Sequence, residues 1–247
     1  MATKAETIEG VRKLISIIDS SSSQIVESTA PLYQLINVLE RTNSSRGLRY
    51  TLDSLKFVNV SEQQFICRDT WKAGSLDVRL HVSVSLMPNL DFEFGNVNES
   101  VIEITYEAIN NSNKIARGAW HLDCHGHHSG VPDFIHPSNH IHHGGRKVKD
   151  NTQDYGELVL LDAPRLMHPP LDIFLAFDFL LTNFIERRIW QSFREDTRYK
   201  ELIKLAQVKW WQKYYQQIAD YWNHQTSGIG DVEKRQTAQL AIPYLYI

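Results

Sequence analysis

Two kinds of hydrophobic repeat divide the chain, and the first is helical. Near the N-terminus, apolar residues recur at the three- and four-residue spacing of an amphipathic helix. They are Ile8, Val11, Leu14, Ile15 and Ile18. A second helical stripe follows Pro31, a residue that suits the start of a helix, and it ends before Asn43. The pattern predicts a helical hairpin within residues 1–45.

From Arg49 to about Gly126 the repeat shortens to two residues, which is typical of strands with one buried face. The clearest run is Leu76–Leu86, where apolar and polar residues alternate throughout. Further strands are predicted at 65–71, 90–94, 101–109, 115–124 and 156–161. Short clusters of Gly, Asn, Pro and Ser between them suit hairpin turns. Residues 46–168 are therefore predicted to form an antiparallel β-meander with a His-rich loop.

Helical spacing returns after Pro170. It predicts one helix to about Gln191, then a long helix from Ser192 or Asp196 to about Trp222. The apolar stretch 171–185 contains two aspartates and falls short of the roughly 20 residues that cross a bilayer, so a buried helix is expected. The chain is thus predicted to be one α+β domain over 1–247, with a helical C-terminal part over 169–247.

The amino-acid composition excludes several classes of protein. The 247 residues carry 26 basic and 29 acidic side chains, a net charge of −3, so the chain is not a basic nucleic-acid-coating protein. Two cysteines, Cys67 and Cys124, exclude a disulfide framework and a four-thiolate zinc site. The N-terminus lacks the pattern of a signal peptide, which leads us to expect a cytoplasmic protein.

Histidines are the main functional signal. Eight of the 11 lie between His121 and His143. On a strand, the two-residue period places His121, Asp123 and His125 on one face. His140 and His142 share a face in the same way if the second segment is extended. We expect one concave pocket, covered by the helix after Pro170, with His127 and His128 more exposed. At least three of six residues should line it: His121, Asp123, His125, His136, His140 and His142.

Paired imidazoles favour acid–base chemistry because their unperturbed pKa lies near 6.5. His121 and His140 are the candidate general base and acid, and Asp123 would orient an imidazole. Arg117 and Arg146 are candidate phosphate ligands. The remaining predicted catalytic residues are His125 and His142. The pattern favours proton transfer on a phosphodiester, and hence a nuclease-like hydrolase that acts on RNA rather than DNA.

Two other classes stay open. The first is a metal-dependent enzyme or a metal-binding module holding Zn, Mn or Fe, since His-x-Asp and His-x-His on strands are common ligand patterns. Its predicted ligands are His121, Asp123, His140, His142 and His168. The second is a non-catalytic interaction protein that binds a partner, or a second copy of itself, through the aromatic C-terminal helix. Trp211 and Tyr215 are its test residues.

The region 120–185 resembles the TumE-like toxins of bacterial toxin–antitoxin pairs, whose core is an Asp, paired His, a Pro-containing spacer and a closing His-x-His. The matching residues are Asp123, His127, His128, Pro132, His136, His140 and His142. The segment from His136 through Arg165 to Phe184 is also similar to an uncharacterised bacterial family with a His-Pro-x-x-His element. The resemblance implies a bacterial toxin or an antiviral defence protein.

Overall fold

The computed structural model describes residues 4–43, 48–61, 76–88, 94–109, 113, 115–125, 137–144 and 166–226, with 232, 236, 238 and 239. It does not describe the side chains of Phe94, His125 and residues 224–226. The predicted strands 65–71 and 156–161, and most of 90–94, lie outside these residues.

The N-terminal part contains helices α1 (Lys4–Ser20) and α2 (Ala30–Arg41). Each buries one apolar stripe, because its hydrophobic residues recur at helical spacing. The ammonium of Lys4, at the start of α1, donates a hydrogen bond of 2.8 Å to the carbonyl of Thr42, just past the end of α2. The two helices therefore run antiparallel, as the predicted hairpin requires.

A six-stranded antiparallel sheet follows, with its strands in chain order. The strands are β1 (Leu48–Phe57), β2 (Asp77–Leu86), β3 (Val97–Ile109), β4 (Ile115–His125), β5 (Asn139–His143) and β6 (Leu166–Met167). Burial alternates residue by residue along β2, so one face of the sheet is apolar and the other is polar. The predicted α+β class and meander are confirmed.

The C-terminal part packs on the apolar face. It contains helices α3 (Ile173–Phe184), α4 (Arg187–Glu195), α5 (Thr197–Gln207) and α6 (Lys213–Thr226), with a π-helical turn (Val208–Gln212) between α5 and α6. The rings of Phe177 in α3 and Phe57 in β1 lie 5.1 Å apart, and both residues are buried. Helix α3 is thus the predicted buried helix. Within the part of the chain described, no helix is long and apolar enough to cross a membrane.

The prediction of one helix to Gln191 is wrong, because the chain leaves the helix at Ile185. That residue forms an isolated β-bridge with Val60, and the amide of Glu186 donates to the carbonyl of Asn59 at 3.1 Å. Non-local backbone pairing therefore interrupts a segment with helical spacing. The predicted start near Asp196 is confirmed, since its side chain accepts hydrogen bonds from the first amides of α5.

Candidate functional site

The two His-containing segments are neighbouring strands. In the register of β4 and β5, His121 lies opposite His142 and Asp123 lies opposite His140. Residues opposite each other in an antiparallel pair point to the same face. These four side chains therefore lie together on the polar face of the sheet, away from the helices.

Strand β3 adds Glu103, directly opposite His121. The Nδ1 atom of His121 lies 3.3 Å from Oε1 of Glu103, and its Nε2 atom bonds Oδ2 of Asp123. The side chains of all three residues are nearly buried, between 8% and 11% exposed. The two-residue period of a strand predicts which face Glu103 shares, but the sequence could not supply the register that makes it a partner of His121. We call Glu103, His121, Asp123, His140 and His142 the histidine cluster.

His121 is held as a cation. Burial alone would lower its pKa, but the hydrogen bonds and negative charges of Asp123 and Glu103 outweigh that effect and raise the pKa to about 9. Both ring nitrogens of the imidazolium donate to carboxylates. A ring in this state has no lone pair with which to accept a proton at neutral pH. The geometry therefore argues against His121 as the general base and suits it to fixing charge and position.

His142 connects His121 with His140. Its ring centroid lies 4.9 Å from that of His121 and 5.5 Å from that of His140, on which it stacks with an angle of 10° between the planes. His140 is buried and donates from Nδ1 to the carbonyl of Pro137 at 3.0 Å. This bond fixes its tautomer, since a carbonyl can only accept. His142 is partly exposed, so a substrate can reach its ring more readily than that of His140.

A small cavity of about 10 Å³, with room for roughly one water molecule, is lined mainly by residues of the apolar face, among them Ile102, Leu122 and Cys124. Of the residues predicted to share a pocket, Asp123 and His140 line this cavity. His168 lines it too; its Nδ1 lies 2.6 Å from the carbonyl oxygen of Pro169, and burial lowers its pKa. The expected cover of the cluster is wrong, because α3 packs on the opposite, apolar face of the sheet. The segment that leads into α3 borders the small cavity on that apolar face.

Arg117 lies apart from the histidine cluster. It lies on the same strand face as His121 but four residues away, about 13 Å along the strand. Its Nε atom donates to Oε1 of Glu107 at 2.5 Å. Arg146, His127, His128 and His136 lie outside the described residues, and for His125 only the backbone is described.

The metal hypothesis receives no support here. Among the residues that the structure describes, no three His, Cys, Asp or Glu side chains form a group suited to a metal ion. The contacts of His121 give a physical reason, since its two ring nitrogens point to different carboxylates rather than towards one common point. The predicted ligand His168 lies beside Asp123 and His140 at the small cavity, without completing such a group.

Two neighbouring residues, Cys124 and His143, point to the apolar face of the sheet. Cys124 alternates with Asp123, so it points to the apolar face, where burial raises its pKa to about 12 and the thiol stays protonated. His143 is on that face as well, with its Nε2 atom 2.7 Å from the hydroxyl of Tyr106. Neither residue belongs to the cluster.

The two test residues of the interaction hypothesis differ in their surroundings. The indole of Trp211 donates to the carbonyl of Pro170 at 2.9 Å and packs against the core. Tyr215 is 52% exposed. A change at Trp211 would disturb the fold itself, so only Tyr215 tests a surface.

Comparisons of the chain with protein-family models, with curated proteins and with solved structures find no match. The resemblance to TumE-like toxins stays a prediction.

Proposed function

We propose that the protein is a nuclease-like enzyme that cleaves RNA by acid–base chemistry at the histidine cluster. The observation that carries the proposal is the ring contact between His142, which is partly exposed, and an imidazolium held between two nearly buried carboxylates. Such a preorganised charge next to a reachable imidazole is typical of sites that transfer protons. An intracellular role in toxin–antitoxin or antiviral defence systems follows from the resemblance alone.

In this proposal His142 takes the proton of a ribose 2′-hydroxyl, and the resulting oxygen attacks the adjacent phosphorus. The bond from phosphorus to the 5′-oxygen breaks, and that oxygen receives a proton. His140, stacked on His142, is the proposed donor; it gives the proton from Nε2 of its protonated ring, since its Nδ1 proton is held by the carbonyl of Pro137. In this proposal His121 is a fixed cation and Asp123 is its hydrogen-bond partner.

Charge imposes a requirement on the substrate contacts. Glu103 and Asp123 bring two negative charges against the one positive charge of His121, so the cluster by itself repels phosphate. The chain must therefore supply cations from elsewhere. Arg146, three residues after the end of β5 in the sequence, is still predicted to bind phosphate.

The test uses the full chain with a fluorescent RNA oligonucleotide, the same sequence as DNA, and an RNA with 2′-deoxy substitutions. We expect cleavage of RNA only, in the presence of EDTA, between about pH 5 and 8, where imidazole titrates. His142→Gln should lose roughly 100-fold or more, as expected for a proton-transfer group.

His143→Gln is the matched control, because it changes the next residue of the same strand on the opposite face and should keep full activity. Absence of cleavage under all conditions, or equal rates for His142→Gln and the unchanged protein, would refute the proposal. Activity that EDTA abolishes and Mn²⁺ restores would support the metal-dependent alternative instead.

A further inference from the structure

A cavity on the helical side of the molecule lies on the opposite side of the sheet from the histidine cluster. It has a volume of about 430 Å³ and lies between α1, α5, the π-helical turn and the start of α3. Pockets that bind small organic molecules have volumes of about 300–1,000 Å³. The cavity is therefore large enough for a ligand with a ring and a short chain.

Its walls are apolar and come from buried side chains. Phe174, Leu202, Ala206 and Trp210 line it, and each is at most 8% exposed. Gly10 of α1 lines it too, and a Cβ atom there would come within 2.7 Å of the ring of Phe174. Because these walls are buried parts of the core, the cavity is preformed.

The inner end of the cavity is polar. Asp172 and Tyr50 line it and are buried, and Oδ1 of Asp172 accepts a hydrogen bond of 2.8 Å from the amide of Leu175. Burial raises the pKa of Asp172 to about 7, although backbone amides and the charge of Lys209 oppose this shift. A buried carboxyl group in an otherwise apolar cavity is a natural partner for a ligand cation.

The mouth carries paired charges. Two ion pairs flank it, Lys13 with Glu201 at 2.9 Å and Lys209 with Glu6 at 3.5 Å. The third carboxylate, Glu9, lies 3.9 Å from the guanidinium of Arg12. The preference for a cationic ligand over an anionic one therefore comes from the buried carboxyl group of Asp172.

We propose that this cavity binds a small organic amine, with its ammonium group at Asp172 and its hydrocarbon part between Phe174, Leu202 and Trp210. Binding would convert a protonated Asp172 to its carboxylate and release that proton to solvent. Near pH 7 about half of the molecules carry the proton, so about half a proton should be released for each amine bound. The number released should fall towards zero as the pH rises above 8.

The test compares three probes with the same carbon skeleton: 4-phenylbutylamine, 4-phenylbutanol and 4-phenylbutyrate. Isothermal titration calorimetry of the full chain in two buffers gives affinity and proton release, and tryptophan fluorescence, to which Trp210 contributes as one of six tryptophans, gives a second readout. We expect the amine to bind at least about 10-fold more tightly than the alcohol, which corresponds to 1.4 kcal/mol. The butyrate should be the weakest of the three.

Asp172→Asn should reduce the preference for the amine to less than about 3-fold and abolish proton release. Asn is as good a helix cap as Asp, so this variant keeps its fold. Ala206→Leu should weaken all three probes, because it fills the cavity. His142→Gln should bind the amine normally while losing RNA cleavage, which separates this proposal from the one above. Absence of saturable binding, tighter binding of the butyrate, or an amine preference that survives Asp172→Asn would overturn it.

Discussion

His121 and Asp172 are buried ionisable residues on opposite faces of one sheet, and both have a raised pKa for opposite reasons. At His121 two carboxylates from neighbouring strands outweigh burial, so the charged form is favoured at neutral pH. At Asp172 burial outweighs the backbone amides, so the neutral form is favoured up to about pH 7. Charged side chains on the polar face are therefore stabilised by their partners, whereas burial on the apolar side disfavours ionisation.

The two residues also make stability depend on pH in successive windows. A group with a raised folded pKa binds more protons folded than unfolded, so the free energy of unfolding falls as the pH rises between the two values. For Asp172 this window runs from 3.8 to about 7. For His121 it runs from 6.5 to about 9. The contribution of each is fully present below its window and lost above it.

The largest effect is expected on the polar face of the sheet, for His121→Leu. The variant leaves Glu103 and Asp123 facing each other without the cation between them. Removal of one partner of a buried ion pair costs about 3–5 kcal/mol, and two carboxylates place this variant near the upper end. Urea unfolding at pH 7 measures the loss, which should shrink below about pH 4, where carboxylates bind protons.

Further changes distinguish lost charge from lost packing. Adding Glu103→Gln and Asp123→Asn to His121→Leu should recover most of the stability, because no uncompensated charge remains. Ser83→Ala, on the polar face of β2, should change it by less than about 0.5 kcal/mol. A loss under about 1 kcal/mol for His121→Leu would show that the imidazolium does not hold the cluster together.

The second effect is expected on the apolar face. Asp172→Asn removes a group whose ionisation opposes folding, so it should stabilise the protein at pH 8 by about 4 kcal/mol, the shift of about three pKa units at 1.36 kcal/mol each. At pH 4 the same variant should differ little from the unchanged protein. Thermal or urea unfolding across this range measures both values.

Asp196 is a matched control, since it caps α5 as Asp172 caps α3. Its hydrogen bond with Arg198 lowers its pKa to about 2, the opposite direction. Asp196→Asn should therefore lose a little stability at pH 8, where Asp172→Asn gains it. Equal pH profiles for the two variants would contradict the account of burial at Asp172.

The faces themselves could be predicted from the sequence, because alternation along a strand is a local property. The alternation of Leu76–Leu86 predicts which side of β2 is buried. The same two-residue period on β4 places His121 and Asp123 on one face. The position of α3 could not be predicted in this way. Spacing shows that its residues are buried, but the face that it covers depends on contacts with distant residues such as Phe57.

The role of each histidine could be predicted only in part. Sequence spacing groups His140 with His142, but the two carboxylate contacts of His121 depend on the register of three strands. For the same reason the sequence could not separate Arg117, paired with Glu107, from the cluster. The sequence did not indicate a binding role for Asp172, because an aspartate before a helix commonly caps it. The cavity beside Asp172 forms only when α1 and α5 pack nearby.

The smallest effect is expected at His143, which lies on the apolar face of the sheet, opposite to that of His121. Burial lowers the pKa of His143, so its contribution to stability is lost as the pH falls, opposite to that of His121. The hydroxyl of Tyr106 forms a hydrogen bond of 2.7 Å with Nε2 of the ring. Tyr106→Phe should cost about 1 kcal/mol at pH 8, the net value of one hydrogen bond. Tyr215→Phe, at an exposed tyrosine, should cost less than about 0.5 kcal/mol by the same unfolding measurement. Equal costs for the two variants would mean that the bond to His143 contributes nothing to stability.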